Sequence, residues 1–106
     1  MITAEQIRQG KAIAVQAGLA MYQRIGERDA CGFGWVEVYV DRVNSAQARE
    51  LIAAGFKKDY KPRCLSMWDP AGVNTQSISV KEAGADAYAT YLTALGLKAY
   101  GCSRLD

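Results

Sequence analysis

The chain contains no histidine, and its three cysteines include no CxxC pair. Each absence removes a class of function. Without imidazole there is no Cys-His or Ser-His dyad and the commonest metal ligand is missing, which leaves carboxylates scattered rather than paired in a motif. Cys31, Cys64 and Cys102 are odd in number and widely spaced, so neither a disulfide framework nor a zinc knuckle can be read from them, and a reducing cytosol is the expected setting. Gly32 and Gly34 do not complete G-x-G-x-x-G, and they precede a strand pattern instead of following one into a helix, so no phosphate loop is expected. Charge of one sign is also scarce. A formal net charge of +2 is too weak for a non-specific duplex-DNA binder and excludes a heavily acidic DNA mimic. The N-terminal stretch is interrupted by Glu5, Arg8, Gln9 and Lys11, unlike a signal peptide or a membrane span. The expectation is a non-enzymatic cytoplasmic protein with no catalytic residue, metal, cofactor or membrane association.

What is present is ordinary globular composition, 50% apolar and 23% charged in 106 residues, enough for one hydrophobic core and hence one domain over residues 1–106. Residues 1–26 read as a long amphipathic helix. Ile7, Gly10, Ala14, Ala17, Gly18, Met21 and Ile25 fall on one side, an Ala- and Gly-rich face able to approach its neighbour closely. WVEVYVD then alternates as a strand, with Val36, Val38 and Val40 on one face and Trp35, Glu37, Tyr39 and Asp41 on the other. Asn44 or Ser45 caps a helix through AQARELIAA that ends at Gly55, a left-handed cap. RCLSMWD is a second alternating strand, and Asp69-Pro70-Ala71-Gly72 a turn into a short strand near TQSIS. Ser79 with Glu82 matches a capping box for a helix that runs to Gly96, and LKAYGC is the last strand, with SRLD as a frayed surface tail.

The order after the first helix is β-α-β-β-α-β, the split arrangement of a ferredoxin-like α+β domain over residues 33–102. A weak internal repeat agrees with it: LIAAGFK and LTALGLK share leucine, alanine, glycine and lysine in register, as two βαβ halves would if each ended its helix on glycine.

With the valines turned toward the crossing helices, Trp35, Glu37 and Tyr39 project from the opposite sheet face, joined there by Trp68, Lys98 and Tyr100. Two outcomes are open. The N-terminal helix covers this face and the aromatics are core, or the face is free to bind. A basic stretch, KKDYKPR, with Lys57, Lys58, Tyr60, Lys61 and Arg63, is read as the loop before the second strand, either solvated surface or a partner-binding loop that could serve as the contact in place of the aromatic face. A protein partner is the leading expectation. Stacking of single-stranded nucleic acid on the aromatics is the alternative, opposed by the carboxylate of Glu37 and by the absence of the RNA-recognition signature. A homo-oligomeric structural or small-ligand-binding domain is the third.

The C-terminal half, from the Trp68-Asp69-Pro70 turn through KEAGADAYA and GLKAY to the closing SRLD, resembles small accessory proteins carried by tailed bacteriophages and prophages. The resemblance implies an origin in a bacterial cytoplasm, where such proteins act by sticking to host machinery, host defence complexes included. It supplies no catalytic residue, and the leading expectation that follows is a phage-type inhibitor of a host protein, with steric occlusion as its mechanism.

Overall fold

The computed structural model describes all residues, Met1–Asp106. The elements are α1 (Ala4–Ile25), β1 (Gly32–Tyr39), α2 (Ala46–Ala53), β2 (Lys57–Lys58), β3 (Cys64–Trp68), α3 (Ile78–Ala94) and β4 (Lys98–Leu105). The strands form one antiparallel sheet in the order β2-β3-β1-β4. Because β3 runs against both β1 and β2, and β1 against both β3 and β4, each helix-linked pair is parallel with another strand between its members. The protein is thus a small α+β domain with a long N-terminal helix. No helix is long and apolar enough to cross a membrane.

Val36, Val38, Leu65 and Ala99 line one face of the sheet and meet Ala48 and Leu51 of α2 and Ala85, Tyr88 and Leu92 of α3 in the main core. The internal repeat corresponds to a shared helix ending. The N–H of Phe56 donates to the carbonyl of Leu51 and that of Leu97 to Leu92, with Gly55 (φ 110°) and Gly96 (φ 106°) in the left-handed position between, so both helices close in a Schellman motif that turns the chain into a strand.

Three expectations change. The hairpin partner of β3 is β2, Lys57–Lys58, whereas Thr75–Ser79 contributes only an isolated bridge between Cys31 and Ser77. The connection that makes this hairpin is short. Asp59 closes it by donating its N–H to the Cys64 carbonyl and accepting from the Lys61 N–H, and Arg63 takes a positive φ of 54°. The Asp69–Gly72 turn does form, but it leads back toward the helices, where Ala71 packs against Gly18 and Gly84. The cap of α3 is Ser77, whose hydroxyl accepts from the Val80 N–H, and not Ser79. Asp29 supports that cap by accepting from both the Ser77 hydroxyl (2.6 Å) and the Ser79 N–H (2.9 Å). Finally, SRLD is not frayed. Because β1 begins at Gly32, its first residues pair with Ser103–Leu105, and Asp106 donates its N–H to the Cys31 carbonyl.

Helix α1 settles the question left open above. It packs along α3 and on the end of α2 and makes no backbone approach to any strand. Its small residues explain why: Gly10 lies beneath the rings of Tyr88 and Tyr91, Ala14 beside Gly84, and Gly18 against Ala71 and Val73. The two tyrosine hydroxyls donate to the carbonyls of Ile7 and Gln6, each at 2.7 Å. At its start, Thr3 and Gln6 form a capping box. Glu50 of α2 accepts from the Ala4 N–H, placing a carboxylate at the positive end of the helix dipole.

Gly10→Ala tests this packing. Alanine gains about 1 kcal/mol of helix propensity, but its methyl would stand 2.5 Å from the Tyr88 ring. That ring is fully buried and pinned by its hydroxyl, and overpacking costs about 1–3 kcal/mol. Chemical denaturation is expected to show a net loss on the order of 1 kcal/mol. A second test concerns Asp29, whose pKa the Ser77 hydroxyl and Ser79 amide lower from 3.8 to about 2. A depressed folded-state pKa stabilises fully above the ordinary value and is lost as pH falls through the lower one. Asp29→Asn is therefore expected to lower the melting temperature at neutral pH and to flatten its fall between pH 3.8 and about 2.

Candidate functional site

The face of the sheet opposite the helices carries, row by row across β3, β1 and β4, Trp68–Trp35–Cys102, Ser66–Glu37–Tyr100 and Cys64–Tyr39–Lys98, with Phe33 beside Arg104 at one end. This is the face read from the alternation of the valines, and no helix covers it. Trp68 is 49% exposed and Tyr100 56%, while Trp35 and Tyr39 are half-buried.

Trp35 and Trp68 are direct cross-strand partners with ring centroids 4.5 Å apart and planes 12° from parallel. That separation is close to the spacing of neighbouring strands, so the rings stand face to face and turn their edges outward. Phe33 meets Trp68 edge-on at 6.0 Å, and Lys81 and Arg104 lie over the Phe33 ring. At the other end Tyr39 and Tyr100 form a second edge-to-face pair at 5.9 Å.

Between the two aromatic groups lies Glu37, placed on this face by the alternation and only 4% exposed. It is enclosed by its neighbours in the sheet. One carboxylate oxygen accepts from the Trp35 indole N–H (2.8 Å) and from Lys61 Nζ (2.6 Å), and the other from the Tyr39 hydroxyl (2.9 Å). Burial pushes its pKa up, but the hydrogen bonds from Lys61, Trp35 and Tyr39 outweigh burial and hold it below the ordinary glutamate value. Reciprocally, the Glu37 hydrogen bond raises Lys61, and it pushes Tyr39 up to about 12. The thiols on this face are poor nucleophiles: burial raises Cys64 to about 11 and also raises Cys102.

The residues of KKDYKPR divide. Lys57 is paired with Ser66 and so shares the aromatic face, whereas Lys58, opposite Leu65, projects from the helix side of the sheet. Lys61 reaches over the face to Glu37. Tyr60 is 90% exposed at the tip of the hairpin. Arg63 borders a cleft of about 640 Å³ with Tyr39, Asp41, Pro62 and Lys98 at the end of the aromatic face. Trp35, Tyr39, Trp68, Tyr100, Lys57, Lys61 and Arg63 are thus brought together, Tyr60 stands at the hairpin tip beside Lys61, and Lys58 lies on the other side of the sheet. Sequence reasoning missed Phe33 and Arg104, whose signal was the same alternation carried two residues further in each strand. No group of three His, Cys, Asp or Glu residues is arranged to hold a metal.

The chain matches no protein-family model, no curated protein and no solved structure. The site presents an aromatic surface rimmed by Lys57, Lys98 and Arg104 around a carboxylate paired with Lys61.

Lys61→Met tests the pairing of Lys61 with Glu37. Lys61 is raised and Glu37 lowered by their pairing, so the pair stabilises above the Glu37 range and below the Lys61 range, and is lost as pH falls through the one or rises through the other. The variant is expected to melt earlier than wild type at neutral pH. The deficit should shrink as pH falls from 4.5, the ordinary glutamate value, through the lower pH at which the paired Glu37 takes up its proton.

Proposed function

We propose that the protein is a non-enzymatic binding module that docks a protein partner on the aromatic sheet face. The carrying observation is that this face is uncovered while holding Trp68 and Tyr100 half exposed around the buried Glu37. Large aromatics held by their neighbours make efficient anchors, because little side-chain freedom is left to lose on binding. The cations Lys57, Lys98 and Arg104 at the rim favour an acidic surface on the partner.

The upright tryptophan pair favours a protein over a nucleic acid. A base needs an open ring face to stack on, and Trp35 and Trp68 each turn one face to the other. The ferredoxin-like reading of the fold is supported by the strand order, which taken from β4 is β4-β1-β3-β2, with α2 in the β1–β2 connection and α3 in the β3–β4 connection. The resemblance of the C-terminal half to phage accessory proteins extends the reading to a phage-type inhibitor that occludes a host protein in the bacterial cytoplasm. The unpaired cysteines are compatible with that compartment.

The test is capture from bacterial lysate by the tethered wild-type chain, with mass-spectrometric identification and then affinity measurement on the captured protein. Trp68→Ala is the informative variant, since Trp35 also holds Glu37. Loss of one anchor costs about 2 kcal/mol, roughly thirtyfold in affinity, and the fold should be unchanged by circular dichroism. Ile52→Ala, on an exposed position of α2, should bind as wild type does. Capture insensitive to Trp68→Ala would remove the aromatic face from the contact. Tight, salt-sensitive binding of single-stranded RNA or DNA in an anisotropy assay would replace the protein partner with a nucleic acid.

A further inference from the structure

The two edges of the sheet are guarded unequally. β2 is two residues long and both are lysines, a short charged edge that discourages another strand. β4 is eight residues long, keeps unbroken register with β1 and contains no proline. Its charges, Lys98 and Arg104, lie near its ends, and Asp106 extends the line by its bond to Cys31. No other strand pairs with its outer side. An edge of this kind is a template for a further strand.

Laid antiparallel against a copy of itself, residues 98–106 are complementary in one register. Directly opposed residues of an antiparallel pair share a sheet face, and a two-fold axis makes every contact reciprocal. With Cys102 opposite Cys102 of the second copy, Tyr100 meets Arg104, Lys98 meets Asp106, Ala99 meets Leu105 and Gly101 meets Ser103. Each charge then finds an opposite charge or an aromatic ring. Moving the axis to Gly101 sets Lys98 against Arg104, and moving it to Ser103 leaves Lys98 without a partner and puts Tyr100 against Asp106. We propose that the chain self-associates through β4, two copies joining edge to edge about Cys102 into one continuous sheet.

On the helix side, Glu82 is turned onto the Ser103 hydroxyl (2.6 Å) and Asp86 lies against Gly101. With the axis at Cys102, Asp86 of one copy and Glu82 of the other stand at opposed positions there, and their repulsion weakens the association. On the opposite side the two aromatic faces become one surface, with Tyr100 of each copy at the seam.

Sedimentation equilibrium of the full chain is expected to show a reversible dimer. Symmetry makes one charge reversal act at two pairs, so Lys98→Asp and Asp106→Lys should each weaken it about tenfold, and the two together should restore it. Oxidation with copper-phenanthroline should give a covalent dimer in the Cys31→Ser chain that disappears when Cys102→Ser is added. A monomer at every concentration, a dimer indifferent to both reversals, a double variant that stays weak, or a covalent dimer that survives Cys102→Ser would each overturn the proposal. Loss of Trp68-dependent capture leaves this result untouched, so the two readings fail separately.

Discussion

The close packing of α1 on α3 decides what the molecule presents to its surroundings. A helix with an apolar face must bury it, and the sheet's aromatic face was available. What directs α1 to the other helices is shape: Gly10, Ala14 and Gly18 form a shallow track that admits the Tyr88 and Tyr91 rings and Ala71. The two tyrosine hydroxyls, each bonded to a carbonyl of α1, add direction to a contact that apolar burial alone would leave free to slide.

With α1 so placed, the exposed sheet face has to be stable without a cover, and the Glu37 cluster makes it so. A carboxylate this deeply buried would be costly alone. Bonded to Trp35, Tyr39 and Lys61 at once, it becomes the fixed point from which both aromatic groups are held. The same cluster removes the electrostatic objection to anionic partners, because Lys61 cancels the charge and leaves Lys57, Lys98 and Arg104 to set the sign of the rim. The proposed pairing through β4 would widen this surface without disturbing it.

Much of this was legible from alternation and capping. Val36 and Val38 announce which side of β1 faces the core, and Trp35, Tyr39, Trp68 and Tyr100 follow from that by the pleat alone. The glycine endings of α2 and α3 could be read because left-handed backbone has few suitable residues. The two-residue strand β2 could not be, since Lys57 and Lys58 carry no apolar period, and pairing with β3 is what makes them a strand. Ser79 with Glu82 fits the local capping-box pattern, but the cap is Ser77, two residues earlier, whose hydroxyl is held by Asp29 from far away in the chain. The burial of Glu37 likewise required Lys61 to arrive from a different strand connection.

Residue by residue, the amino-acid sequence determined the helices, the two central strands, the identity of their faces and the lack of histidine chemistry, because these depend on side-chain period and type within short windows. The seat of α1, the charge state of the aromatic surface and the exposure of the β4 edge were decided only in three dimensions. Each depends on which distant groups meet, and a local pattern carries no information about its partner.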